Sequence, residues 1–151
     1  MMNVFPHPPA STVTRILGEA GLPCSDLTPA HLEHFFGCGS IGAPDGIVGL
    51  ELYESVALLR SLAVISKCRG RGCGTALVAQ AELFAGSQGV REIYLLTTTA
   101  QGFFERLGYA RVLREGAPVA IQRTQEFSTI CPSGSAFMVK RLPIKELKCS
   151  T

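Results

Sequence analysis

A mixed α/β domain is what this sequence predicts, on three features. The apolar run Val56 to Val64 reads as a strand covered on both faces, a helical stripe of Leu77, Ala81 and Phe84 follows a glycine-rich basic loop, and a second apolar strand runs from Val90 to Leu96. The order strand, loop, helix, strand belongs to α/β or mixed α+β folds. A length of 151 residues suits one continuous core, so a single domain over residues 1–151 is expected.

The remaining elements follow in chain order. Ser11 or Thr12 caps a first helix that runs to Ala20, with Val13, Ile16 and Leu17 as its apolar face and Gly21 as its stop. A short second helix begins near Thr28, because Pro29 fits a first helical position, and Leu32, Phe35 and Phe36 supply its apolar side. The segment from Gly37 to Gly46 holds a weak strand and a turn, and Ile47 to Leu52 is a firmer strand. Tyr53, Glu54 and Ser55 turn the chain into the central strand. Thr75 to Ser87 is the long helix, closed by Gly89. Beyond the strand ending in Thr97, Thr98 and Thr99, a short helix spans Ala100 to Leu107 and stops at Gly108. A return strand from Tyr109 to Leu113, a helix within Ala117 to Phe127, and a last strand from Ala136 to Leu142 complete the chain. In that last strand Phe137 and Val139 share one face, Met138 and Lys140 the other.

Composition narrows the function. Apolar residues make up 46% of the chain, which fits a packed globule and excludes a disordered or collagen-like one. The formal charge of +2, from 14 basic and 12 acidic residues, gives no broad basic face, so no nucleic-acid partner is expected. No apolar stretch approaches the roughly 20 residues of a spanning helix, and the start lacks the pattern of a secretion signal. A cytoplasmic protein with no membrane contact is the expectation. Cys24, Cys38, Cys68, Cys73, Cys131 and Cys149 form no C-x-x-C or His-rich pattern, so reduced thiols and no metal are expected. Cys68 and Cys73 flank the basic loop, where a lowered thiol pKa and plain packing are both open, as is a soft-metal or arsenical site.

The loop itself carries the sharpest signal. Arg69, Gly70, Arg71, Gly72, Cys73, Gly74 and Thr75 lie between a strand and a helix, with glycines at alternate positions. Bare backbone N–H groups at a helix start can surround the oxygens of an anion, and the two arginines add charge. The spacing is neither the G-x-G-x-x-G of dinucleotide folds nor the G-x-x-x-x-G-K-[ST] of a nucleotide P-loop.

Arg69, Gly72 and Gly74 fit the coenzyme-A loop of the GCN5-related N-acetyltransferase (GNAT) family, which this chain resembles. Leu62-Ala63-Val64 before the loop is similar to the family's fourth strand, and Phe103-Phe104-Glu105-Arg106-Leu107-Gly108-Tyr109 to its later helix and turn. Leu59 to Val64 with Leu95 to Thr99, together with Thr124 to Phe127 and Cys131-Pro132-Ser133, resemble arsenic-resistance N-acetyltransferases of the amino-acid acetyltransferase type. The resemblance implies a mixed, mainly antiparallel sheet splayed between its fourth and fifth strands, and acetyl-CoA held in the wedge as cosubstrate. Leu62, Val64, the residues from Arg69 through Thr75, and Phe104 would line that cofactor. Val64 would offer its backbone to the pantetheine arm or the acetyl carbonyl. A homodimer is also compatible with the family.

Acetyl transfer to an amine needs a neutral nitrogen beside the thioester, donors for the oxyanion and a route for the proton. Glu51 is the first choice as general base, directly or through water, with pairing to Arg60 as its structural alternative; Glu54 is a second candidate. The family's usual tyrosine acid is replaced by Phe104, leaving solvent, Tyr109 or Tyr94 to protonate the thiolate. Arg60 interrupts the central strand and could hold the carboxylate of a small amino-acid substrate, or form an internal salt bridge with Glu51 or Glu105. Thr97, Thr98 and Thr99 could donate hydroxyls to the same ligand or cap the next helix, and Arg123 could meet an acidic substrate tail. An arsenical or phosphinothricin-like amino acid is a family-based acceptor. A non-catalytic acetyl-CoA sensor and a thiol-based arsenical or soft-metal sensor stay open beside the enzyme.

Overall fold

The computed structural model describes residues 3–22, 24–124, 127–128 and 135–143. Its frame is a seven-stranded sheet in the order β1-β2-β3-β4-β5-β7-β6. The strands are β1 (Val4–Pro6), β2 (Phe35–Ser40), β3 (Ala43–Tyr53), β4 (Val56–Val64), β5 (Glu92–Thr97), β6 (Ala110–Arg111) and β7 (Ala136–Arg141). All neighbours pair antiparallel except β4 and β5, which are parallel. The mixed α+β sheet expected from the sequence is therefore present.

Among the described residues the α-helices are α1 (Ala10–Ala20), α2 (Pro29–Leu32), α3 (Cys73–Ser87), α4 (Gln101–Arg106) and α5 (Val119–Gln122). One core lies under α3, where Leu77, Val78 and Ala81 pack on Val48, Leu50, Leu59, Ile93 and Met138. On the other face Val13, Ile16 and Leu17 of α1 meet Phe35, Ile47 and Ala63, while Ile121 of α5 meets Leu58, Tyr94 and Phe137. Successive strand residues thus feed opposite cores, so β4 and β5 are apolar on both faces.

Several elements depart from the sequence expectation, each for a local reason. Helix α1 starts at Ala10 behind Pro9 as N-cap, which makes no side-chain cap bond, and Ser11 and Thr12 already lie inside the first turn. Phe35 and Phe36 do not extend α2 but open β2, where ladders on both sides, to β1 and β3, offer more than another helical turn. Thr28 and His31 stop α2 from drifting through a reciprocal capping box. Strand β1 escaped sequence reading because three residues ending in Pro6 carry no alternation, and proline is tolerated there because the strand is an edge. The return strand shrinks to Ala110–Arg111, although Val112 still donates to the Phe137 carbonyl at 2.8 Å. Helix α5 is four residues long; Gln125 and Glu126 of the longer expected helix lie outside the described residues.

Two irregularities in β4 set up the site. Ile47 faces Ala63 and Gly49 faces Arg60, so β4 carries an extra residue there, with Ser61 in the left-handed region at φ 62°. The parallel pairing with β5 covers only Val56↔Glu92, Ala57↔Ile93 and Leu58↔Tyr94. Beyond Leu58 the two strands part.

The close packing of β2 on β3 makes one glycine indispensable. A Cβ at Gly49 would fall 2.5 Å from the Phe35 ring, which is itself fully buried. Gly49→Ala is expected to destabilise the protein by about 1–3 kcal/mol through overpacking, read as a lowered urea midpoint at unchanged slope.

Candidate active site

The parting of β4 and β5 opens two adjoining cavities. The larger, about 590 Å³, runs from Leu62 and Val64 of β4 along the loop of Arg69, Gly70 and Gly72 to Phe103 and Arg106 of α4. The smaller, about 260 Å³, lies deeper in the splay between Leu59 to Leu62 of β4 and Leu95 to Thr99 at the end of β5, with Phe104 in its wall. Leu22, Leu62, Thr99 and Ala100 border both, so the two form one connected wedge.

The loop has the form that anion binding demands. Gly70 and Gly72 adopt φ 80° and 88°, values that disfavour any side chain, and Gly72 is the N-cap of α3. No acidic residue sits in the first turn of α3. Its free N–H groups and the positive end of its dipole therefore face the larger cavity, with Cys73, Gly74 and Thr75 on the same wall. Arg69 donates Nε to the Val64 carbonyl at 3.1 Å, which fastens the loop to the end of β4; Arg71 is exposed. Gly74 leaves 3.3 Å between a notional Cβ and Phe103.

Next to the splay lies a buried charge cluster. The Arg60 guanidinium, with its side chain fully inaccessible, grips both oxygens of Asp26, at 2.8 Å through Nη2, and donates Nη1 to Glu51 at 2.8 Å and Nε to Ser61 at 3.0 Å. Glu51 also accepts from the Tyr53 hydroxyl, and His31 Nε2 stands 3.6 Å from it. Burial pushes the Asp26 carboxyl up, but hydrogen bonds and charge from Arg60 outweigh this and hold it below the ordinary value. Burial and the bond to Glu51 raise the Tyr53 phenol. Asp26, His31 and Glu51 offer metal-type ligand atoms within 4.8 Å of one another, yet Arg60 already supplies the cation between the two carboxylates.

The residue pattern 31–111 matches the acetyltransferase (GNAT) domain family. This chain belongs to that family. It is 36% identical over 107 residues, 70% of its length, to an uncharacterized N-acetyltransferase of Chlorobaculum tepidum, and spans 66% of that relative. Its fold is similar to N-acetylglutamate synthase from Neisseria gonorrhoeae complexed with coenzyme A and N-acetyl-glutamate, with TM-score 0.80 at 17% identity, over 95% of this chain and 35% of the synthase. It is also similar to a Mycobacterium tuberculosis protein complexed with CoA, with TM-score 0.74 at 18% identity, over 95% of this chain and 99% of the other.

Set in the GNAT fold, the residues singled out from sequence separate into two groups. Leu62, Val64, Arg69, Gly70, Gly72, Cys73, Gly74 and Thr75 line the larger cavity, Phe104 the smaller, and Thr97, Thr98 and Thr99 stand at the open end of the splay. Thr97 Oγ1 accepts from the Ala100 N–H at 3.0 Å across the turn before α4; the capping alternative is not what forms, because the N-cap of α4 is Ala100, with no side-chain cap bond. Arg60 lines the smaller cavity, but its guanidinium is engaged by Asp26 and Glu51, the internal salt bridge that had been its other reading. Glu51 lies outside both cavity walls and borders a separate recess of about 160 Å³ with His31, His34 and Tyr53. Arg123 is an exposed residue ending α5 and lines neither cavity.

Other candidates change character. The Tyr109 hydroxyl donates to Glu82 at 3.0 Å and its pKa is driven up by burial and that carboxylate; the Tyr94 hydroxyl donates to Glu92 at 2.8 Å and is pushed up to about 12 by burial and Glu92. Neither faces the splay. Burial raises the thiols of Cys68 and Cys73 above their ordinary value, helped by Asp45 and by a hydrogen bond with Cys38 respectively, so the lowered-pKa reading is corrected. Cys131-Pro132-Ser133 lies outside the described residues. Asp26, the main partner of Arg60, was missed because nothing local marks a loop aspartate as the mate of a strand arginine 34 positions away; the signal was the need of a buried guanidinium for carboxylates.

Removing Arg60 would strand two carboxylates. Arg60→Ala is expected to lose about 3–5 kcal/mol in urea unfolding; a loss below about 1 kcal/mol would refute the clamp. The depressed Asp26 pKa gives stability that is present above the unfolded value of about 3.9 and disappears as pH falls through the folded value. The Tm gap between wild type and Asp26→Asn should therefore be widest near neutrality and close below about pH 4.

Proposed function

We propose that the protein is an acetyl-CoA-dependent N-acetyltransferase that acetylates the primary amine of a small amino acid or amino-acid analogue by direct attack. The observation that carries the reading is the coincidence of a glycine-capped helix start with a parted strand pair in one connected wedge. The first suits a pyrophosphate and the second suits the extended arm and thioester that follow it. The backbone of β4 past Leu58 has no β5 ladder partner, and with the Val64 carbonyl held by Arg69 it is the Val64 N–H that would serve the arm or the oxyanion.

Arg69 and Arg71 add charge-assisted contacts to the diphosphate. Holding both reactants in the wedge removes much of the entropic barrier. Glu51, standing outside both cavity walls, receives the amine proton through solvent in this reading, and solvent also protonates the departing thiolate, whose low basicity suits it. Arg60 organises the acceptor side by tying the α1–α2 connection, through Asp26, to the sheet. A free amino acid is favoured by the small size of the inner cavity, about 260 Å³. The family resemblance extends this to arsenical or phosphinothricin-like amino acids. No described helix is long and apolar enough to cross a membrane. Cys24, Cys38, Cys68 and Cys73 are thiols and not disulfides, which is compatible with a cytoplasmic setting.

A second reading, an acetyl-CoA sensor without turnover, draws on Phe104 in place of a hydroxyl acid and on tyrosines turned to Glu82 and Glu92. A turnover screen with acetyl-CoA across free amino acids and their phosphinate and arsenical analogues, with mass detection, separates the two. Absence of acetyl-CoA binding in calorimetry by the folded protein would sink both. Arg69→Ala with Arg71→Ala is expected to raise KM for acetyl-CoA roughly 10- to 30-fold while leaving the acceptor KM within about twofold; equal effects on the two would reject the assigned roles.

A further inference from the structure

We infer that Thr99 is a catalytic residue that hydrogen-bonds the departing thiolate and relays a solvent proton to it, a conclusion that deepens the acetyltransferase reading and rests on it. The two cavities of the wedge meet at Leu22, Leu62, Thr99 and Ala100, and of these four only Thr99 has a polar side chain. In that reading the diphosphate lies at the glycine loop of the larger cavity, and the acceptor amine occupies the smaller one. The thioester bond that breaks therefore lies where the two cavities meet, at the level of Thr99.

The hydroxyl is held in place and uncommitted. Thr99 lies two residues past the end of β5, in a bend pinned by the bond from the Ala100 N–H to Thr97 Oγ1, which spans Thr98 and Thr99. Thr99 is itself exposed, and its side chain has no hydrogen-bond partner among the described residues. Its oxygen can thus accept from water while its O–H donates to a ligand. The other hydroxyls are engaged, sealed or remote. Tyr94 and Tyr109 donate to Glu92 and Glu82, Ser61 Oγ accepts from Arg60, and the Ser135 hydroxyl is sealed within the wall. Thr98 borders only the smaller cavity, and Thr75 stands at the diphosphate end of the larger one. Phe104, where the family resemblance places a tyrosine acid, offers no hydroxyl.

The step balances without a further reactant. The amine nitrogen bonds to the acetyl carbon, the C–S bond breaks, and its electron pair stays on sulfur. Thr99 O–H donates to that sulfur, and as its proton crosses, a water hydrogen-bonded to Oγ replaces it. The proton shed by the amine goes to solvent, so no net proton is gained or lost. An aliphatic hydroxyl is too weak an acid to give up its proton unreplaced, and this is why an exposed threonine in reach of water suits the relay.

The test takes free coenzyme A as the probe, bound to wild type, Thr99→Val and Thr99→Ser, and follows its ultraviolet thiolate absorbance against pH. A donor to sulfur favours the charged form, so the bound thiol should titrate about one pH unit higher in Thr99→Val than in wild type. Thr99→Ser, which keeps the hydroxyl, should restore most of that shift. With L-phosphinothricin as acceptor, kcat of Thr99→Val should fall about tenfold while KM for acetyl-CoA stays within about twofold. Because Thr99 is exposed and makes no internal hydrogen bond, the Tm should match that of wild type. An unshifted thiol titration, an unchanged kcat, or a Thr99→Ser that behaves like Thr99→Val would each overturn the inference and leave the acetyltransferase reading standing. Folded wild type that does not bind coenzyme A would overturn both.

Discussion

Everything at the candidate site depends on β4 and β5 pairing for three residues and then separating. A parallel pair that continued to Val64 would satisfy its own backbone and leave no wedge. The bulge that puts Ser61 at φ 62° and gives β4 an extra residue over β3 bends the strand at the level where separation begins. The larger cavity, the inner cavity and the backbone groups near Val64 all follow from that one break in the ladder.

Parting two central strands exposes backbone and weakens the sheet, and the charge cluster offsets this beside the inner cavity. Arg60 emerges from β4 beside the bulge and ties three segments together: the α1–α2 connection through Asp26, β3 through Glu51, and its own bulge through Ser61. His31 repeats the tie, with Nδ1 on Thr28 and Nε2 toward Glu51. The result fixes the shape of the inner cavity with one guanidinium shared between two carboxylates. On the opposite face Lys140 and Tyr109 converge on Glu82 and lock α3 to β7 and to the turn after α4. A tyrosine readable from sequence as a proton donor thus serves to hold the cofactor helix.

Much of the frame was legible from residues alone. Val56 to Val64, the stop at Gly21, the Pro29 start of α2 and the alternation of Phe137 and Val139 all depend on local periodicity or turn chemistry, and each stands as read. What failed was competition between local and tertiary preference: Phe35 and Phe36 carry a helical pattern, but two flanking strands claim them. The loop from Arg69 to Thr75 was readable because the exposure of its backbone N–H groups is written in the glycine spacing. The charge cluster beside the splay was not, because Asp26 comes to Arg60 from a distant segment.

The sequence by itself determined the mixed sheet, the glycine-capped start of α3 and the GNAT resemblance, since these arise from contacts within a few residues or within one strand–loop–helix unit. Only the tertiary structure decided the fate of the polar side chains. It committed Arg60 to Asp26 and Glu51, turned Tyr94 and Tyr109 away from the splay, and left Ser135 buried without a partner. The physical reason is that a buried polar group is defined by what folding brings to it, and the pairings of Arg60 with Asp26 and of Tyr109 with Glu82 span 34 and 27 positions of the chain.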